Sequence, residues 1–174
     1  MKVRLTLSLG AAGMLAACVP QPQATQPPQP SPAPAPAPPS PPPPVAAWQD
    51  APLTPGGWSY LPEADGGSNA RFGPAGAEPL FIIRCDRSRQ IALSTKGTAA
   101  GPMTIRTSFG ARNLQASSQA TASGYVAARL PATDPLLDSI AFSRGRFSVE
   151  APGAGMLIIP AWPEAARVIE DCRR

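Results

Sequence analysis

The chain of 174 residues contains no histidine. That removes Ser-His-Asp and Cys-His nucleophile chemistry and every metal site built on imidazole. Lysine is nearly as scarce, with Lys2 and Lys96 alone, and charged residues make up only 15% of the chain. No basic run is longer than Arg173-Arg174, so the clustered footprint of a nucleic-acid binder is missing. No stretch reaches the ~20 consecutive apolar residues of a transmembrane helix. What the chain has in excess is proline, 25 in all, and 14 of these fall between Pro20 and Pro44.

That clustering divides the chain into three parts: residues 1–17, residues 18–47 and a domain over residues 48–174. The first opens with the basic Met-Lys-Val-Arg, continues with the apolar Leu5 to Met14 and ends in Leu15-Ala16-Ala17 before Cys18. A basic start and a short apolar core are the pattern of an export signal. The second contains, from Pro20 to Pro44, only Pro, Gln, Ala, Thr and Ser. Such a segment cannot bury enough apolar surface to offset the entropy of ordering it, and is expected to be disordered. Dense proline biases it to polyproline II, at ~3.1 Å per residue, so that it spans on the order of 80 Å. A stiff spacer is the expected role.

Leu15-Ala16-Ala17-Cys18 resembles the lipobox of bacterial lipoproteins. The resemblance implies cleavage before Cys18, acylation of Cys18 and membrane attachment through that anchor. By the family's sorting rule, Val19 in place of Asp implies the outer membrane, with the domain facing the periplasm. Loss of the leader removes Lys2 and Arg4, which lowers the formal net charge from +4 to +2. No nucleic-acid partner is expected from so weak an excess.

Cys85 and Cys172 are the other two cysteines. An even pair in an oxidising compartment reads as a disulfide, and two thiols without His make an incomplete metal set. No metal or cofactor is implied.

Within the domain, short apolar runs recur about every ten residues between Gly, Ser, Asn and Asp. The expected strands are Trp58–Leu61, Ala70–Phe72, Leu80–Cys85, Gln90–Ser94, Met103–Ser108, Arg112–Ala116, Tyr125–Leu130, Arg146–Glu150 and Met156–Ile159. Alternation such as Val126, Ala128, Leu130 gives them a period of two, the signature of an antiparallel barrel or sandwich. Phe81, Ile83 and Cys85 share one face, and Phe81-Ile82-Ile83, apolar on both faces, suits a central strand. Two segments break the period. Asp134–Phe142 reads as a short helix with Asp134 as N-cap and Pro135 in the first turn. Trp162–Cys172 reads as a C-terminal helix whose Ala165, Val168, Ile169 and Cys172 form one stripe. The expected fold is therefore mainly β with a short internal helix and a C-terminal helix, both thiols pointing inward.

Few residues could carry chemistry. Ser143-Arg144-Gly145-Arg146 sets two arginines on a glycine turn, and guanidinium forks recognise phosphate or carboxylate. Arg144 and Arg146 are thus the candidate anion- or partner-binding residues, although pairing with Asp138, Glu150 or the acids of the last helix accounts for them equally well. Asp134 and Asp138 could act as paired carboxylates, or simply as a cap and a solvated acid. A small Ser/Lys hydrolase would need Lys96 beside Ser94 or Ser108, yet Ser-Thr-Lys-Gly-Thr is a turn-like string. Trp48, Trp58, Tyr60 and Trp162 are assigned to the core by default, with an interface rim as the alternative. No catalytic residue is assigned.

The strings Asp134-Pro135-Leu136-Leu137-Asp138 and Trp162-Pro163-Glu164 resemble those of uncharacterised alphaproteobacterial envelope proteins, which implies no activity. Cys85-Asp86, Cys172 and Phe142-Ser143-Arg144-Gly145 resemble the outline of the membrane-bound lysozyme inhibitor family, small lipoprotein β-barrels. That resemblance implies inhibition as the alternative function. Ser123-Gly124-Tyr125 departs from the family's inhibitory Ser-Gly-x-x-Tyr spacing, and the C-terminal helix is foreign to its pattern. The leading expectation is a non-catalytic periplasmic binding or scaffolding domain, with peptidoglycan or envelope proteins as partners. If Cys18 is acylated, globomycin should accumulate the uncut precursor, and Cys18→Ser should release the protein from membranes; anchoring that survives the substitution overturns the reading.

Overall fold

The computed structural model describes residues 47–64, 66–118 and 124–174. The leader, Cys18 and the proline tract lie outside the described residues. The elements are β1 (Gly57–Pro62), β2 (Ser68–Gly73), β3 (Phe81–Cys85), β4 (Gln90–Lys96), β5 (Gly101–Thr107), β6 (Gly110–Ser118), β7 (Tyr125–Pro131), α1 (Pro135–Ala141), β8 (Arg146–Glu150), β9 (Leu157–Pro160) and α2 (Pro163–Arg173). Each expected strand and helix is present, with ends shifted by a few residues. Among the described residues no helix is long and apolar enough to cross a membrane.

The nine strands form one antiparallel sheet in the order β1-β2-β3-β4-β7-β6-β5-β8-β9. Of barrel and sandwich, the chain takes the curled single sheet, a half-barrel. Rows of paired residues run across it: Phe72, Phe81, Thr95 and Val126; then Ala70, Ile83, Leu93 and Ala128. All eight are buried. Phe81 of β3 meets Phe147 of β8 with ring centroids 5.9 Å apart. Those strands are five places apart in the sheet, which would separate them by about 24 Å if it were flat. The contact therefore measures the curl. Trp58 joins the same cluster, 5.5 Å from Phe72 and 6.3 Å from Phe81.

The two end strands are bridged rather than paired. The Thr54 N–H donates to the Ile158 carbonyl (2.9 Å), the Ile158 N–H donates to Thr54 Oγ1 (2.9 Å), and Trp58 Nε1 donates to the Pro160 carbonyl (2.8 Å). Thr54, before β1, and the Trp58 side chain of β1 thus satisfy backbone groups that the edge of β9 would otherwise leave open.

Helix α1 starts where Asp134 accepts a hydrogen bond from the Leu136 N–H (2.9 Å), and it buries Leu136, Leu137 and Ile140. Helix α2 packs on β1 to β4 and on α1, and buries Ala165, Val168, Ile169 and Cys172. Cys172 is bonded to Cys85 of β3, with Cα atoms 5.5 Å apart. The two periodicities, two for β3 and 3.6 for α2, put both thiols on the buried side.

A crosslink spanning 87 residues stabilises by about 4.6 kcal/mol through the unfolded chain's entropy. Cys172→Ser should accordingly lower the urea midpoint sharply. Maleimide labelling of both Cys85 and Cys172 in the unfolded, non-reduced protein would show the bond to be absent.

Candidate functional site

The β5–β6 hairpin turns on two residues, Ser108 and Phe109, between the paired Thr107 and Gly110. Thr107 Oγ1 accepts from the Phe109 N–H and donates to the Gly110 carbonyl, both at 3.2 Å. The second loop, Phe142 to Gly145, joins α1 to β8. Gly145 takes φ +75°, a left-handed conformation that suits glycine. Ser143 Oγ accepts from the Ser108 N–H and donates to the Arg146 carbonyl, while the Arg144 N–H donates to Ser108 Oγ (3.0 Å). A third segment joins them where the Ala161 N–H donates to the Gly145 carbonyl (3.2 Å), one residue before Trp162. Three loops are thereby stitched into one rim.

This rim carries three exposed aromatic side chains: Phe109 (64% exposed), Phe142 (68%) and Trp162 (47%). Trp162 corrects the default assignment to the core. It is the N-cap residue of α2, and only the stripe beginning at Ala165 faces inward. Trp58 is buried as expected, whereas Trp48 and Tyr60 are half-buried. A cleft of about 220 Å³ lies beside Phe109, lined also by Pro135, Leu136 and Arg112.

The two candidate arginines have different surroundings. Arg146 is half-buried, and its Nη1 donates to the Ala51 carbonyl (2.8 Å), holding the segment before β1. Arg144 is exposed, and its guanidinium has no hydrogen-bond or ionic partner among the described residues. The acids that could have neutralised it are engaged elsewhere. Asp138 takes Arg173 (2.7 Å), Glu150 takes Arg106 (2.9 Å) and Asp171 accepts from the Tyr60 hydroxyl (2.9 Å). Residues 107–110, 142–146 and 161–162 include two arginines and no carboxylate.

The remaining candidates are occupied structurally. Lys96 is the last residue of β4, and its Nζ donates to Glu78 (2.9 Å). The hydrogen bond to Glu78 raises its pKa above the ordinary lysine value, opposite in direction to the lowering that activates a lysine nucleophile or base. Asp134 pairs with Arg112 and caps α1, so Asp134 and Asp138 serve separate ion pairs. Among the described residues no group of three or more Cys, Asp or Glu could hold a metal ion.

Sequence reasoning reached Arg144 and Arg146 and met Phe142 only within the Phe142-Ser143-Arg144-Gly145 resemblance; it passed over Phe109 and did not assign Phe142 as a contact residue. Both leave a signal in the sequence. Phe109 stands between Ser108 and Gly110 at the turn of a hairpin, and Phe142 lies outside the α1 stripe of Leu136, Leu137 and Ile140.

Burial alone would raise the pKa of Asp134. The Arg112 hydrogen bond, the Leu136 N–H and the Arg112 charge outweigh it, and the carboxyl titrates below its usual range. A lowered carboxylate pKa stabilises the fold above the unfolded value, ~3.9, and that contribution is lost as pH falls through the folded value. Asp134→Asn keeps a capping acceptor but not the charge, so urea unfolding at pH 3 and pH 7 should show a smaller gain in stability with pH. Asp134→Ala should cost about 1 kcal/mol more through the lost cap. An unaltered pH dependence in Asp134→Asn contradicts the assignment.

No family model, curated protein or solved structure matches this chain.

Proposed function

We propose that this chain is an outer-membrane lipoprotein, anchored through acylated Cys18, with its β domain held in the periplasm on the Pro20–Pro44 spacer. The domain is a non-catalytic binding or scaffolding module, and the rim of Phe109, Phe142, Arg144 and Trp162 is its contact face. One observation carries the contact face: three loops joined by hydrogen bonds carry an exposed, unpartnered guanidinium and three exposed aromatic side chains. Aromatics and arginine are the residue types enriched where surfaces are buried by partners. Elsewhere on the domain Arg84, Arg106, Arg112, Arg129 and Arg173 each hold a carboxylate.

Support for a non-catalytic role comes from the same geometry. Lys96 is paired with Glu78, and Asp134 and Asp138 are paired with Arg112 and Arg173. The hydroxyls of Ser108 and Ser143 are used to join the loops.

A benzophenone-bearing amino acid in place of Phe142 should crosslink in living cells to protein, glycan or lipid. The same group in place of Leu61, exposed on β1, serves as the reference position. Far more adduct is expected from 142; equal yields from both sites would falsify the rim as the contact face.

A further inference from the structure

The chemistry of the rim restricts what it can hold. Its hydroxyls already have partners within the fold: Ser108 Oγ accepts from Arg144, Ser143 Oγ joins Ser108 to Arg146, and Thr107 Oγ1 bonds across the hairpin. Protein interfaces carry about one hydrogen bond per 100–200 Å², and sugar rings present hydroxyls that need partners too. Beyond its aromatic rings, the side chains of this surface offer the free Arg144 guanidinium and the Ser108 hydroxyl proton, a small polar complement. Apolar rings with an isolated positive charge, and little else polar to satisfy, suit a bilayer interface. There, aromatic rings settle at headgroup level and arginine forks onto phosphate.

We infer that this rim docks on a phospholipid surface, Phe109, Phe142 and Trp162 entering the headgroup–acyl boundary while Arg144 pairs with a lipid phosphate. The inference rests on the reading of the rim as the contact face. Residues 107–110, 142–146 and 161–162 carry no carboxylate, and Asp138, one turn before Phe142, is paired with Arg173, which lessens the repulsion an anionic leaflet would otherwise meet. The hydrogen bonds joining the loops fix the backbone that carries the rings before contact, which cuts the ordering cost of docking.

The test uses residues 18–174 carrying Cys18→Ser, so that no acyl chain contributes, with vesicles of phosphatidylethanolamine and phosphatidylglycerol. Co-sedimentation should show binding, and brominated lipids should quench tryptophan emission, with the quenching lost in Trp162→Phe. Phe109→Ser with Phe142→Ser should weaken partitioning by on the order of a hundredfold, about tenfold per ring. Arg144→Ala should weaken it about fivefold on these vesicles, and less on purely zwitterionic ones, which keep the phosphate but lack the negative surface potential. Both phenylalanines are exposed, so circular dichroism and the urea midpoint should match those of the parent chain. Absent vesicle binding, or binding that the double substitution leaves intact, overturns the inference. If vesicles fail while position 142 crosslinks to a protein or glycan, the rim remains the contact face and only its lipid partner is wrong; failure of both removes the contact face as well.

Discussion

A single antiparallel sheet has one face to hide and no second sheet to hide it against. In this domain nine strands meet that constraint by curling until Phe81 of β3 touches Phe147 of β8. Burying apolar area at ~25 cal/mol per Å² is the driving term, and every other feature of the fold answers to it. Helix α2 lies on β1 to β4, so the apolar stripe from Ala165 to Cys172 and the sheet cover each other. The Cys85–Cys172 bond joins that helix covalently to β3. At the other end of the problem, an open sheet has two edges. Thr54 and Trp58 bridge β1's approach to β9, satisfying Ile158 and Pro160 without a further strand.

The same economy separates two populations of aromatic residues. Trp58, Phe72, Phe81 and Phe147 fill the interior. Phe109, Phe142 and Trp162 stand on loops at the rim, where the hydrogen bonds through Ser108, Ser143 and Gly145 hold the loops together. Ser143 Oγ both accepts and donates in this joint, and Ser108 Oγ accepts, so few side-chain polar groups besides Arg144 are left on the rim. A rim stiffened in this way pays little to become ordered on contact, which is why rigid loops make better docking faces than their composition alone suggests. The outer face of the sheet behaves differently. There Glu63, Asn69, Arg71 and Arg84 bond to one another, and charge is satisfied within the domain.

Much of the fold was legible because alternation needs only neighbours along the chain. Phe81, Ile83 and Cys85 were placed inward on period two, and Val168, Ile169 and Cys172 on period 3.6; all are buried. Asp134 announced its cap because the acceptor, the Leu136 N–H, lies two residues away. The order β4-β7-β6-β5-β8 was not legible, since periodicity assigns a face to each strand and says nothing about which strand lies beside it. Trp162 was misplaced for a related reason: its residue type favours burial, while its position at the start of α2 puts it outside the buried stripe.

The arginines divide along the same line. That Arg144 and Arg146 flank a glycine turn follows from the order of residues, because Gly145 has to supply the positive φ. Which of them would be left without a partner depended on where Ala51, Asp138 and Glu150 came to rest, and the last two were claimed by Arg173 and Arg106 from other elements. By itself, then, the sequence determined the elements, their inward faces and the pairing of the two thiols, all set by local period and cysteine number. Only the tertiary structure decided the curl of the sheet, the meeting of three loops at one rim and the isolation of Arg144, since each joins residues far apart in the chain through contacts that no local pattern encodes.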